Sequence, residues 1–296
     1  MPSGGYNPCM SAQPLEREEF VEQAYFLRVF RERLAENMPA QEILARIHEE
    51  ILTTTRLPIA IQFLATELKH SGVLAAGFAQ LPHYFTAFQS YVVRQAEQEG
   101  QRFTMPTALV LLEREATYKA EGPTQPGLFV YQFEALCRNR LGYGEGLTAM
   151  GQDPFYDDAW RHYIDTVRRQ VGVIDFSELV YLRSGLYVTD QRRQDPAYEP
   201  PVAPLFGEKE GKIAKASRGR DPLFLFAALQ RQLGYPEVPR PKARDDTTAR
   251  LDIIAAKLHE MEARLKLAEG ELRGSVDLSQ FGTPDLLKNV RDDQEK

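Results

Sequence analysis

Glu67 and His70 stand three residues apart in the run Glu67-Leu68-Lys69-His70, a spacing that puts both on one face of a helix. Ferritin-like di-iron bundles use such pairs, but they need two of them plus two further carboxylates facing the same core. The chain has no second Glu-x-x-His, and His48 is followed by glutamates instead of being preceded by one at the right spacing. A lone pair is ordinary on a solvated helix face, so no metal ligand and no cofactor is assigned.

Trp160, His162 and Asp165 form the tightest aromatic and polar cluster. His162 and Asp165 lie one helical turn apart, so Asp165 could orient the imidazole as a general base requires. No nucleophile accompanies them, and a helix-surface pair explains the spacing equally well. Gly142, Gly144 and Gly146 follow a helix instead of joining a strand to one, so they read as a flexible loop and not as a dinucleotide site. Neither a nucleophile elbow nor a phosphate-binding loop of known pattern occurs. The catalytic residues of any enzymatic activity are therefore unassigned.

A basic run, EKEGKIAKASRGR, carries Lys209, Lys212, Lys215, Arg218 and Arg220 at intervals of two or three residues, with glycines nearby. A mobile loop of this kind can reach phosphates or an acidic partner. Its plainer reading is a solvated linker. The formal net charge of −6 disfavours a general nucleic-acid coat, leaving the loop 209–220 as the one weak route to nucleic acid.

The elements that would position these groups are helices. Phe20, Ala24, Leu27, Phe30 and Leu34 recur in steps of three and four, with acidic residues early and arginines late, which suits the helix dipole. Ile43, Ile47 and Ile51 repeat the pattern. Further helices are expected from Pro58 to Lys69, from Leu81 to Glu97, after Thr104, over QFEALCRNRL, from an Asp153 cap with Pro154 in the first turn, and over Asp175 to Val188. Alternating strand patterns are scarce. The fold class is all-α, a multi-helix bundle with a long linker and a C-terminal amphipathic or coiled-coil helix.

The expected organisation is a flexible N-terminus over 1–14 and a helical bundle domain over 15–188. A linker or basic loop over 189–220 follows, then an additional helix over 221–235 packing on the bundle. A Pro-rich linker over 236–247 precedes the amphipathic helix 248–273 and a flexible tail over 274–296. Residues 189–220 suggest a linker because four prolines, three glycines and many charges leave no periodicity. The two cysteines, Cys9 and Cys137, form no disulfide framework, and the N-terminus has no basic region followed by an apolar run. No apolar segment reaches the roughly 20 residues of a membrane span. A cytoplasmic protein is expected.

The C-terminal helix has the most specific pattern. Leu251, Leu258, Leu265 and Leu272 fall at heptad position a, and Ile254, Met261 and Ala268 at d. Lys257 and Arg264 occupy g, while Glu262 and Glu269 occupy the e positions five residues later, so parallel copies would face opposite charges. Ile253 and Leu267 at c widen the stripe, which equally suits docking on the chain's own bundle. Two function classes follow. One is a non-enzymatic interaction or scaffold protein that associates through this helix, with itself or a protein partner. The other is an enzyme or small-ligand carrier whose Glu67, His70, His83 or His162 converge on a pocket inside the bundle.

Overall fold

A computed structural model describes residues 15–52, 54–98, 102–240 and, nearer the C-terminus, 254, 255, 257, 258, 261, 262 and 265. The chain divides into two units, residues 1–242 and 243–296. The first unit is all-helical, and no strand occurs among the described residues, which hold only two isolated bridges.

Helix α1 (Arg17–Ala35) stops where Asn37 enters the left-handed region at φ 62°. Next come α2 (Ala40–Glu50) and α3 (Leu57–Ser71), which pack on each other; α3 opens on Pro58 and closes on Gly72 at φ 73°. The apolar stretch after Gly72 forms a short helix α4 (Leu74–Gln80). Helix α5 (Ala87–Glu97) then begins at Thr86, not near Leu81, because Thr86 and Gln89 form a reciprocal capping box. Helix α6 (Met105–Ala120) lies along α1. Helix α7 (Gln125–Asn139) starts earlier than its apolar periodicity suggested, from a Thr124 cap with Pro126 in its first turn.

Three sequence expectations change in the next part. The glycine run is helix α8 (Tyr143–Gly151), not a flexible loop. Its Gly146 faces α7 so closely that a β-carbon there would lie 2.6 Å from Leu136 Cδ2. Helix α9 (Asp158–Gln170) is capped by Asp157, not Asp153. The stretch 175–188 is two helices, α10 (Phe176–Leu182) and α11 (Gly185–Gln194), with Ser184 capping the second.

The segment 189–220, expected as a linker, is also built into the unit. It contains the end of α11 and all of α12 (Glu208–Ala216). Phe206 anchors it, 2% exposed, with ring contacts to Phe129, Trp160 and Tyr163. Leu205 N donates to Arg183 O and Gly185 N donates to Phe206 O. Gly211 lets α12 press against α11, since a β-carbon there would sit 2.7 Å from Leu186 Cβ. The buried contact residues Gly211 and Ala214 are small, so this helix has no large buried apolar side chain to mark its inner face in the sequence.

Helix α13 (Pro222–Leu233), capped by Asp221 and closed by Gly234 at φ 70°, packs on α7, α10 and α12. The start of the expected Pro-rich linker is laid into the same unit. Val238 is 2% exposed, and Asn139 Nδ2 donates to Pro239 O. Positions 241–247 of that linker, the N-terminal 1–14 and the tail 274–296 lie outside the described residues. The core is rich in aromatics: Phe133 stacks on Phe176 at 4.1 Å and contacts Phe226, while Phe129 contacts Trp160 at 5.3 Å. Each such ring contributes about 1.5–3 kcal/mol by leaving water.

Candidate functional site

Two places in the chain bring chemistry or recognition groups together. The first is a buried polar cluster that the sequence did not announce. Lys119 is in the last turn of α6, Glu115 one turn before it, Gln132 is on α7, and Asp153 is in the turn between α8 and α9. Lys119 Nζ lies 2.7 Å from Asp153 Oδ2 and 3.0 Å from Glu115 Oε1, with all three side chains at most 2% exposed. Gln132 Nε2 donates to Glu115 Oε1, and its Oε1 accepts from the Tyr156 hydroxyl. Phe155 N donates to Asp153 Oδ1.

Burial pushes the Glu115 carboxyl up from its ordinary range, against the pull of Lys119. Burial alone would lower the Lys119 ammonium, but Asp153 and Glu115 together raise it above its ordinary value. An ammonium held in its charged form is neither a nucleophile nor a base at neutral pH. Glu115 Oε2 has no hydrogen-bond partner. A pocket of about 400 Å³, open solvent at its mouth included, reaches this cluster at Lys119 and Asp153 between Phe20, Phe85 and Phe155. It has room for about two or three water molecules.

The residues nominated for chemistry are not gathered there. His83 borders the pocket and is exposed. Glu67 and His70 are on α3, with His70 exposed, and no group of three or more potential metal ligands occurs among the described residues. His162 is exposed on α9, while Trp160 of the same helix is buried. Asp165 does not orient His162: its carboxylate is bound by Arg168 and Arg169, which hold its pKa below the ordinary range. The four candidates for a converging pocket, Glu67, His70, His83 and His162, therefore remain dispersed, with only His83 beside the cluster.

The basic loop is likewise altered. Lys215 pairs with Asp190 at 2.6 Å, and Arg218 pairs with Glu178 and stacks on Tyr181 at 4.2 Å. Lys209, Lys212 and Arg220 remain exposed. Two of its five cations are thus engaged by the protein's own carboxylates, Lys215 on α12 and Arg218 in the turn after it.

The second place is the C-terminal helix. Ile254, Lys257, Leu258, Met261, Glu262 and Leu265 are all helical. Ile254, Leu258, Met261 and Leu265 are each 53–61% exposed. Their spacing of four, three and four puts them on one face. Leu251, Arg264, Glu269 and Leu272, nominated with them, lie outside the described residues. No protein-family model matches the chain, and neither a curated protein nor a solved structure does. Among the described residues no helix is long and apolar enough to cross a membrane.

Proposed function

We propose that this protein is a non-enzymatic helical scaffold that associates through its C-terminal helix, with the helical unit of residues 15–240 as its rigid body. One observation carries the reading: four large apolar side chains, Ile254, Leu258, Met261 and Leu265, line one helical face and are each more than half exposed. Contiguous exposed apolar surface of this kind costs free energy in water and marks interaction sites. The heptad steps of Leu258 and Leu265 at a, and Ile254 and Met261 at d, are those that pack knobs into holes on a neighbouring helix. The compartment proposed is the cytoplasm, on the strength of two cysteines that make no disulfide framework.

The experiment is site-specific photocrosslinking in living cells. Leu258 is replaced by p-benzoylphenylalanine in the full chain, with Ile59, exposed on α3, as the control position. Adducts of higher mass at position 258, lost when Leu265→Asp is added, are the expected result. A crosslinker at 258 that yields only the uncombined chain overturns the reading.

A further inference from the structure

We infer that the partner at the C-terminal helix is a second copy of this chain, laid parallel and in register; this rests on the scaffold reading above. The apolar seam needs a partner with its own apolar face, and an identical helix supplies one with the same spacing. The charges then set direction. In a parallel, in-register pair, Lys257 at g faces Glu262 at e of the next heptad in the other copy, and the sequence repeats the match with Arg264 and Glu269. An antiparallel pair instead sets e against e, where Glu262 and Glu269 would meet like charge or Ala255. A foreign partner gives no reason for one helix to carry both halves of a complementary set. Leucine at every a position, with Ile254 at d, shifts a parallel assembly from two strands toward three or four copies.

The test is sedimentation equilibrium of the purified full chain at tens of micromolar. The expected mass is an integral multiple, at least twofold, of the 33.7 kDa chain. Leu258→Asp with Leu265→Asp places charge in the seam and should give monomers, with the thermal midpoint of the helical unit 15–240 unchanged. Lys257→Glu alone, or Glu262→Lys alone, should weaken assembly roughly tenfold by turning attraction into repulsion. An equimolar mixture of those two single variants should restore it, because each then complements the other. A monomeric wild type overturns the second-copy proposal while crosslinks at 258 would still support the scaffold reading. Oligomers that survive the double aspartate variant overturn both. Failure of the mixture to restore assembly overturns the parallel register.

Discussion

Lys119 at the end of α6 and Asp153 in the turn before α9 form an ion pair of 2.7 Å, although 34 residues separate them and neither side chain is more than 2% exposed. The pair, with Glu115 as its second carboxylate, ties α6 to the α8–α9 turn. Removing the cation strands two carboxylates in the interior. Lys119→Met should therefore cost about 3–5 kcal/mol of unfolding free energy. The triple change Glu115→Gln, Lys119→Met, Asp153→Asn should cost clearly less, because no charge is left unpaired. Urea unfolding of the two variants measures the difference, and equal losses would show that the ionic character is immaterial.

Phe206 should hold the 189–220 segment to the unit. Phe206→Ala removes a side chain in contact with three aromatic rings and should cost about 3–5 kcal/mol. Trypsin should then cut at the exposed Lys209 and Lys212 faster than in the wild type. Unchanged cleavage rates would show that the segment's order does not depend on that anchor.

Two neighbouring glycines should respond with opposite sign. A β-carbon at Gly146 meets Leu136, which is fully buried, so Gly146→Ala should destabilise by about 1–3 kcal/mol. At Gly144 a β-carbon meets nothing within 4 Å, so Gly144→Ala should stabilise by about 0.4–1 kcal/mol. Thermal midpoints of the two single variants check the ordering.

Cys137 should be a sluggish thiol. Burial pushes it up to about 11 from an ordinary 9.0, with the hydrogen bond from Tyr143 working the other way. In a Cys9→Ser background, alkylation by iodoacetamide at pH 8 should run roughly 100-fold slower than for a free cysteine, since the thiolate fraction falls by that factor. Mass spectrometry of the time course gives the rate, and modification at the free-thiol rate would contradict the burial.

Stability should fall in alkali. Burial raises Tyr131, Tyr156 and Tyr163 above their ordinary value of 10.0, so the folded chain keeps protons that the unfolded chain releases. Their contribution is complete below pH 10 and is lost as pH rises beyond it, at about 1.4 kcal/mol per pH unit for each group. The raised Lys119 adds to the loss above about 10.5. Urea midpoints should be level from pH 8 to 9 and drop steeply by pH 11. A flat profile to pH 11 would contradict it.

Local signals in the chain are enough to determine the helical class and a number of helix ends. Pro58, Gly72, Asp221, Pro222 and Gly234 mark boundaries where the structure has them, because caps and backbone preferences act within a few residues. The apolar steps of α1 and α2 likewise point to buried Leu27, Phe30, Ile43 and Ile47. The C-terminal heptad is legible for the same reason, since a seam is a repeat along one helix. Asp153 shows where such reasoning ends. As an aspartate before a proline it has the signature of a helix cap, yet Asp157 takes that role and Asp153 becomes a buried counter-ion. Its role depends on Lys119, which only the packing of α6 against the α8–α9 turn brings within reach. Residues 189–220 and α8 were hidden for a related reason. Their helices approach α7 and α11 closely at Gly146 and Gly211, residues whose value is the close approach they permit, and that value exists only once a second helix is there to approach.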